Sequence, residues 1–491
     1  MNNKWNSLQN GSDIRGVAVE GIVNEPVTLT NDIVRSIACA FSNWLKEKLN
    51  KEQVAISVGH DSRISADTLK IAVFEGLTHS NSIIADAGLS STPAMYMSTI
   101  FQKYNFDGAI MLTASHLPFN RNGMKFFIKS GGLEKNDISG ILSRAEVIDF
   151  IDNHKIENVS EINLMQSYSD HLINFIIKKT GFSKPLKGLR IIVDAGNGAG
   201  GFFVKKVLEP LGADTKGSQF LEPNGMFPNH IPDPENKIAI ESISKAVKNN
   251  KADLGIIFDT DVDRAGAVDS NGIPLNRNKF IALMSYIVLQ DYPGTTIVTD
   301  SVTSLGVKKW IEELGGKHHR FKRGYKNVIN ESIRLNNSGI SSELALETSG
   351  HGAFKENYFL DDGAYQIAKI LIQLSKKEKK LSSIIKNFEE AKDTIEFRPM
   401  ITSENFSLYA DIILSKFEDY VNVHDDWHLT KNNYEGVHVS LKNGWILMRK
   451  SLHDPIIPIN IESDEKDGVK NIKSEVIRFL EQFTDIQLQE L

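Results

Sequence analysis

Three stretches of the chain repeat the same alternation of apolar and polar positions. Each begins with an apolar, β-prone run, continues through a polar or glycine-rich turn into residues with a period near 3.6, and ends in a second β-prone run. The opening runs are QVAISVGHDSR, LRIIVDAGNGAG and TTIVTDSVTS, followed by the helical stretches SADTLKIAVFEGLTHS, FFVKKVLEPLG and LGVKKWIEELGG. This order predicts three strand–helix–strand units with parallel strands and right-handed crossovers.

Each predicted unit is followed by a further apolar strand that ends in polar residues. These strands lie in FDGAIMLTASH, ADLGIIFDTDVDR and SGISSELALETSGH. Ligands of open α/β sheets collect at the carboxyl ends of strands, so Ser115, Asp259–Asp263 and Glu347–His351 are candidates to line one cleft. The alternative, three unrelated loops in separate sheets, is disfavoured by the shared plan.

The C-terminal part departs from this plan. The stretch GVHVSLKNGWILMRKSLHDPIIPINIES predicts three strands, with Asn443-Gly444 as a hairpin turn, in a smaller α+β domain. The phase of the repeats places the domain boundaries at 1–165, 166–274, 275–390 and 391–491. The predicted fold class is therefore α/β, with three similar mixed α/β domains and a C-terminal α+β domain.

Composition narrows the class of protein. The net charge of −6 over 491 residues argues against nucleic acid as a partner, because phosphate backbones select for an excess of Lys and Arg. The single cysteine, Cys39, lies on an apolar helical stretch and is expected to fill the core rather than to form a disulfide or a zinc site. We see no signal peptide and no apolar run near the roughly 20 residues of a membrane span. These observations predict a cytoplasmic protein with no membrane partner.

Three aspartates follow the apolar strand IIF at alternate positions: Asp259, Asp261 and Asp263. Carboxylates this close repel one another unless a cation lies among them, and oxygen ligands suit Mg²⁺ or Ca²⁺. An EF-hand is excluded, because Arg264 and Ser270 occupy its sixth and twelfth positions. Three protein oxygens leave room for a phosphate oxygen, and Arg264 offers a fork for a phosphate. The alternative is a solvated acidic turn.

Two other enzyme classes have local support. FDTDV resembles the start of haloacid-dehalogenase-type phosphatases, in which Asp259 would be the nucleophile. Gly196, Gly198 and Gly201, with Glu222 further on, fit a dinucleotide-binding turn. The hypothesis of a dinucleotide-binding enzyme leaves the serine loop, the three aspartates and Arg449 unexplained. A third aspartate and a separate serine loop argue against the phosphatase hypothesis.

Taken together, the motifs resemble those of the α-D-phosphohexomutases, the family of phosphoglucomutase and phosphomannomutase. TASHLPFNRNGMK resembles the family's phosphoserine loop, DTDVDR its metal loop, ETSGH its sugar-binding loop and RKSLHDP its phosphate loop. SDIRG and PNHIPDP also match, and the motifs run in family order over nearly the whole chain. Asp61 and Arg63, in GHDSR, resemble a family motif as well and are interpreted as support within the first domain.

The resemblance implies four domains around a central active-site cleft. It also implies a mutase that moves a phosphoryl group between the 1- and 6-positions of a glucose or mannose phosphate. The reaction would pass through a phosphoserine at Ser115 and a hexose 1,6-bisphosphate, with Mg²⁺ as cofactor and a small-molecule sugar phosphate as partner. Phosphoryl transfer needs positioning and charge neutralisation more than a strong base, so a serine without a Ser-His-Asp relay suits this chemistry.

The resemblance also implies a role for each motif residue. Asp259, Asp261, Asp263 and the phosphoserine oxygen of Ser115 would hold the metal. Arg15 and Lys125 would stabilise the transferring group or assist proton transfer. His351 would lie beside the sugar as a catalytic residue that takes part in proton transfer. The implied substrate-binding residues are Arg264, Lys322, Arg323, Glu347, Ser349, Arg449, Ser451 and His453.

Two loops depart from the family pattern. Leu452-His453-Asp454 stands where the family has Gly/Asn-Thr-Glu, and Thr260 and Val262 stand where it has glycines. The first departure keeps open a catalytically weak sugar-phosphate-binding homologue. The second leaves the carboxylates intact, so metal binding is expected to survive. His116 is expected to point away from Ser115, because neighbours on an extended strand end face opposite sides.

Overall fold

The fold is known from a computed structural model, which describes residues 3–150, 156, 159–376, 380–451 and 454–488. Its α-helices are α1 (Asn3–Asn6), α2 (Asn31–Leu49), α3 (Ala66–His79), α4 (Thr92–Ile100), α5 (Lys135–Ala145), α6 (Leu164–Thr180), α7 (Lys237–Asn250), α8 (Asn278–Asp291), α9 (Leu305–Glu313), α10 (Tyr325–Asn337), α11 (Gly363–Ser375), α12 (Leu381–Ile384), α13 (Phe406–Asn422) and α14 (Gly468–Leu480).

The strands of the described residues are β1 (Gln9–Asn10), β2 (Asp13–Val17), β3 (Ala55–His60), β4 (Ile83–Leu89), β5 (Gly108–Leu112), β6 (Arg121–Ile128), β7 (Gly131–Gly132), β8 (Val159–Glu161), β9 (Ile191–Asp194), β10 (Leu254–Phe258), β11 (Ala265–Asp269), β12 (Thr296–Thr299), β13 (Lys317–Arg320), β14 (Leu344–Leu346), β15 (Gly352–Phe354), β16 (Leu360–Asp361), β17 (Asp393–Phe397), β18 (Met400–Ile401), β19 (His428–Leu429), β20 (Val437–Leu441), β21 (Gly444–Met448), β22 (Ile459–Ser463) and β23 (Ile486–Gln487).

These elements belong to two compact units. Unit 1 lies within Met1–Asn276, Ser349–Ala353 and Asn357–Ser382, and unit 2 lies within Arg277–Thr348, Phe354–Glu356 and Ser383–Leu491. No helix of the described residues is long and apolar enough to cross a membrane.

The first sheet of unit 1 has the strand order β1-β2-β6-β5-β3-β4-β8. Strands β3, β4, β5 and β8 run parallel, and β6 turns back antiparallel to β5. Helices α2, α3 and α5 pack an apolar core against this sheet, with Phe41 and Ile110 fully buried in it. The antiparallel return brings Lys125 opposite Met111, close to the carboxyl end of β5.

A second, smaller sheet of unit 1 has the order β11-β10-β9. Strands β9 and β10 are parallel, and β11 returns antiparallel directly after the three-aspartate segment. Helix α7 covers this sheet through an apolar core that includes Ile243 and Val247. The predicted helix in FFVKKVLEPLG contains a π-helical segment (Val204–Leu208), and a 3₁₀ turn (Ala199–Gly201) comes directly before the stretch.

Unit 2 contains the third parallel arrangement and the C-terminal sheet. Strands β13, β12 and β14 are parallel neighbours, as the repeat predicts. The C-terminal sheet is antiparallel throughout, in the order β17-β22-β21-β20-β19, and packs against α13 and α14. The predicted α/β class, with three similar domains and a C-terminal α+β domain, is confirmed.

Two local predictions are wrong. Leu441 pairs with Gly444, so the two-residue hairpin turn is Lys442-Asn443 and not Asn443-Gly444. The β-prone run ADTKGSQF forms no strand in the described structure. In the described residues it pairs with the chain at β9 only through two isolated bridges, Arg190 to Asp214 and Asp194 to Gln219. Lys216 and Gly217 form a turn within the run, and this turn interrupts the strand pairing before a strand can form.

Candidate active site

The serine loop, residues 113–121, follows β5 and places Ser115 within unit 1. Ser115 is buried and has a φ of 51°, a left-handed conformation that is uncommon for residues other than glycine. Its backbone N–H donates to Thr113 Oγ1 at 2.9 Å, which helps to hold this turn. Its hydroxyl donates to Asp259 Oδ2 at 2.9 Å. The loop therefore aims the hydroxyl at the first aspartate.

His116 does not point away from Ser115, and the expectation that it would is wrong. Its Nδ1 lies 3.3 Å from Ser115 Oγ and accepts a hydrogen bond from Arg264 Nη2 at 2.7 Å. The reason is the left-handed conformation of Ser115, which breaks the alternation of an extended strand. Burial, and then the charge of Arg264, lower the pKa of His116 to about 4. A neutral imidazole thus lies beside the serine.

The three aspartates lie together at the carboxyl end of β10. Asp259, Asp261 and Asp263 each offer an oxygen within 4.8 Å of the others, and all three are buried. Among the described residues, Asp261 Oδ1 and Asp263 Oδ1 have no hydrogen-bond partner. Buried carboxylate oxygens without partners are costly unless a cation takes them, so this oxygen-only donor set fits a divalent cation.

Val262 lies between Asp261 and Asp263 with a φ of 67°, in the left-handed region that glycine adopts freely. A β-branched side chain there is strained. It is nevertheless fully buried, and its carbonyl accepts a hydrogen bond from Gly363 N at 3.1 Å. Packing therefore maintains the loop where the family has a glycine.

Lys125 links the aspartates to strand β6. Its Nζ lies 2.9 Å from Asp261 Oδ2 and 2.6 Å from Asp263 Oδ2, and the whole side chain is buried. Burial raises the pKa of Asp259 well above its usual range, with the charges of Asp263 and Asp261 adding to the effect. Burial also opposes ionisation of Asp263, but the charges of Lys125, His351 and Arg264 together outweigh burial and lower the pKa of Asp263. The surroundings therefore act in opposite directions on the pKa values of Asp259 and Asp263.

Arg264 contacts the serine side of the cluster. Its Nη1 donates to Asp233 Oδ1 at 3.0 Å, its Nε lies 3.4 Å from Asp259 Oδ2, and its Nη2 is 3.5 Å from Ser115 Oγ. Despite burial, the neighbouring carboxylates of Asp259 and Asp233 raise the pKa of Arg264. Arg264 is thus a permanent cation beside the serine hydroxyl.

His351 reaches the same cluster from a distant part of the sequence. A backbone bridge pairs it with Arg264, and its Nδ1 lies 2.5 Å from Asp361 Oδ2. Burial alone would lower the pKa of His351, but the carboxylates of Asp361 and Asp263 raise it. Arg15 lies on β2 opposite Gly123 of β6, and its charge also acts on His116.

The remaining predicted residues, apart from Ser349, belong to unit 2. Ser349 begins the unit 1 segment that carries His351. Glu347 is buried, and its Oε1 accepts from Gly324 N at 2.5 Å, next to Lys322 and Arg323 in sequence. His453 lies outside the described residues.

Arg449 lies at the end of β21, and Ser451 Oγ accepts from Asp454 N at 3.1 Å. Burial, and then the charge of Arg323, lower the pKa of Arg449. Among the described residues Arg449 Nε has no hydrogen-bond partner. Two guanidinium groups whose charges interact, one of them with an N–H that has no acceptor in the described structure, are suited to binding an anion.

The glycine-rich turn after β9 packs closely against the loop that carries the three aspartates. A Cβ on Gly198 would come within 2.7 Å of the Thr260 carbonyl oxygen, and one on Gly201 within 2.2 Å of the Leu221 carbonyl oxygen. Ala199 N also donates to the Thr260 carbonyl at 2.8 Å. The glycines therefore permit close packing of the turn, which accounts for them without a dinucleotide.

Sequence reasoning missed two carboxylates of this site. Asp233 anchors Arg264, and Asp361 holds His351. Asp233 lies in the PNHIPDP motif, which was recognised without a role. Asp361 has no local signal, because it is ten residues from its partner in a short strand.

Comparisons with known proteins give the same picture. Three profiles match the chain: phosphoglucomutase/phosphomannomutase alpha/beta/alpha domain I at residues 7–152, domain II at 166–272 and domain III at 276–391. A phosphomannomutase/phosphoglucomutase of Pseudomonas putida is 30% identical over 438 residues, covering 88% of this chain and 89% of the relative. A phosphoglucomutase of Neisseria meningitidis serogroup A is 29% identical over 461 residues, covering 93% and 94%.

Among solved structures, a phosphoglucomutase/phosphomannomutase family protein from Burkholderia thailandensis superposes with a TM-score of 0.80. It is 24% identical, and the match covers 98% of each chain. The sequence profiles span most of the chain, and the structural match extends the agreement in fold to the C-terminal sheet. The chain therefore belongs to the phosphoglucomutase/phosphomannomutase family of isomerase-type phosphotransferases.

Proposed function

We propose that the chain interconverts the 1- and 6-phosphates of glucose or mannose through a phosphoserine at Ser115 and a hexose 1,6-bisphosphate. The observation that carries the proposal is the contact of Ser115 Oγ with Asp259 Oδ2 at 2.9 Å, beside two further buried carboxylates. A phosphoryl group on this serine would stand next to the cluster that neutralises it.

The donor set supports Mg²⁺ as the cofactor, held by Asp259, Asp261 and Asp263 together with an oxygen of the phosphoserine. When bound, Mg²⁺ supplies charge neutralisation of the phosphoryl oxygens. The unpaired oxygens of Asp261 and Asp263 in the described structure support this assignment. Soft ligands are missing from the trio, which favours a hard cation over zinc.

The side chains around the serine support distinct roles in transfer. Lys125 and Arg264 provide fixed positive charge, and Arg15 adds to it from β2. His351, with Nδ1 engaged by Asp361, would exchange a proton with the reacting sugar hydroxyl at Nε2. His116 does not serve as the base in this scheme, because Arg264 already occupies its Nδ1.

Recognition of the rest of the substrate is assigned to the other motif residues. Arg449, Ser451 and His453 would grip the phosphate that does not react. The residues proposed to contact the sugar are Glu347, Ser349, Lys322 and Arg323. We further propose the four-domain division 1–165, 166–274, 275–390 and 391–491, with one of the four loops in each domain.

The experiment is a phosphate map combined with a product assay. The full-length protein is incubated with Mg²⁺ and glucose 1,6-bisphosphate, and its intact mass and phosphopeptides are measured. In parallel, glucose 1-phosphate, mannose 1-phosphate and glucosamine 1-phosphate are compared in coupled assays. We expect one added phosphate on Ser115 and formation of a 6-phosphate. Lack of phosphate on Ser115 would refute the mechanism.

The two alternatives predict different products. A phosphatase that uses Asp259 would release inorganic phosphate without forming an isomer. The structure gives it less support, because both oxygens of Asp259 accept hydrogen bonds, from Ser115 Oγ and from Arg264 N at 3.3 Å. A weak binding homologue would bind the sugar phosphate without turnover.

A further inference from the structure

The guanidinium of Arg63 lies behind the serine loop and is among the largest fully buried side chains of the protein. Its Nη1 donates to the carbonyls of Pro118 at 2.7 Å and Arg121 at 2.8 Å. Its Nη2 donates to the carbonyls of Ser115 at 2.5 Å and Leu117 at 2.6 Å. The four terminal N–H groups of one side chain therefore meet four carbonyls of one loop.

These contacts explain how the loop keeps an unfavourable backbone conformation. Ser115 has a φ of 51°, and a residue other than glycine persists there only when its surroundings hold it. Arg63 Nη2 holds the carbonyl of this same residue. The direction of the Ser115 Cα–Cβ bond, and so of the hydroxyl, depends on that peptide unit.

Asp61 holds the loop from the other side. Its Oδ1 accepts from Arg63 N at 3.0 Å, and its Oδ2 accepts from Thr113 Oγ1 at 2.7 Å. Thr113 Oγ1 in turn accepts from Ser115 N at 2.9 Å. The amide and the carbonyl of Ser115 are thus both tied to the Asp61–Arg63 turn.

The same turn is closed by the second sheet region of unit 1. The ring of Phe227 lies over the Arg63 guanidinium at 5.4 Å, and a Cβ on Gly225 would fall 2.4 Å from Ile64 N. Among the described residues, Arg63 donates no hydrogen bond to the three-aspartate cluster, although the charge of Asp261 acts on its guanidinium. The four hydrogen bonds of its Nη1 and Nη2 all reach the loop backbone, which is the route proposed for its influence on Ser115.

We propose that Arg63 is the positioning residue that fixes Ser115 for phosphoryl transfer, with Asp61 and Thr113 completing the clamp. This inference rests on the proposed function of Ser115. Lysine cannot replace arginine here, because an ammonium places three donors at one point and cannot reach four carbonyls. A small displacement of the nucleophile is enough to slow transfer strongly.

The test compares Arg63→Lys with Val73→Ala, a core variant of α3 that lowers thermal stability without touching the loop. For Arg63→Lys we expect kcat to fall by about 100-fold, and single-turnover phosphorylation of Ser115 to fall equally. We expect KM to change by less than about threefold and Mn²⁺ affinity to be unchanged, because the substrate and metal ligands are intact. Val73→Ala should keep the wild-type kcat.

Thr113→Val covers the case in which Arg63→Lys does not fold. It removes the hydroxyl between Asp61 and the Ser115 amide at nearly constant shape, and we expect kcat to fall by about 10-fold. Arg63→Lys or Thr113→Val with wild-type kcat would overturn the positioning role while leaving the mutase intact. A wild-type protein that neither accepts phosphate on Ser115 nor forms an isomer would overturn both proposals.

Discussion

The serine loop of unit 1 and the Arg449 segment of unit 2 hold their charged groups in opposite ways. Around Ser115, the cations Lys125 and Arg264 are buried and paired with carboxylates at 2.6–3.4 Å. At Arg449 the guanidinium is repelled by Arg323 and, among the described residues, its Nε has no acceptor. The contrast supports the proposal of a preorganised centre for chemistry in unit 1 and of an anion-binding site in unit 2.

The largest effect is expected from removing the serine hydroxyl. Ser115→Ala deletes the proposed phosphoryl acceptor, so turnover should fall by at least about 10³-fold while the fold is retained. Coupled assays and intact mass measure it, and circular dichroism checks the fold. Ser143→Ala, on the exposed face of α5, is the matched control and should keep full activity. An active Ser115→Ala protein would mean that unit 1 is not the chemical centre.

A weaker but still large loss is expected from the metal cluster. Asp261→Asn removes one charge from a fully buried residue that is proposed to bind the metal, so Mg²⁺ affinity should fall by more than about 10-fold and kcat/KM by about 100-fold. Mn²⁺ titration followed by electron paramagnetic resonance measures the affinity. Asp170→Asn, an exposed carboxylate on α6, is the control. Unchanged affinity in Asp261→Asn would place the cation elsewhere.

The Arg449 segment should affect recognition rather than chemistry. Arg449→Ala should lower kcat/KM by about 10- to 100-fold, mainly through KM, because a charge-assisted contact to the distant phosphate is lost. Phosphorylation of Ser115 by a saturating bisphosphate should stay near the wild-type extent. Arg478→Ala, an exposed arginine of α14, is the control. A loss confined to kcat would mean that Arg449 acts in the chemical step, as the residues around Ser115 are proposed to do.

Sequence periodicity was sufficient for the strands that end in the site and for the order of the loops, because apolar runs and their polar ends are local features. Partners that join distant segments were not predictable. Asp361 meets His351, and Asp233 meets Arg264, only because short strands and turns bring them together. The position of His116 was mispredicted, since nothing local signals the left-handed backbone at Ser115. Likewise, the hairpin at Lys442-Asn443 is offset by one residue from the Asn-Gly signal.

The smallest expected effect is a pH-dependent change in the free energy of unfolding, which arises from a buried histidine of unit 2. His438 is buried there, with Nε2 accepting from Arg320 Nη1 at 2.7 Å and Nδ1 bonded to the Thr430 hydroxyl at 2.7 Å. Burial, and then the charge of Arg320, lower the pKa of His438 to about 3. In the unfolded chain the same ring titrates near its ordinary value of about 6.5.

Between these pH values the unfolded state binds one more proton, so this contribution to stability is complete above about pH 6.5 and is lost as the pH falls towards 3. From pH 7 to pH 5 the free energy of unfolding should drop by about 2 kcal/mol through His438 alone. Urea denaturation at both pH values measures it, and His438→Gln should flatten the difference, whereas exposed His428→Gln should not. An unchanged pH dependence in His438→Gln would show that this histidine takes up its proton over the same pH range in the folded protein as in the unfolded chain. Below that range Arg320 could then not donate to it, and the interior of unit 2 would be held by a different set of hydrogen bonds.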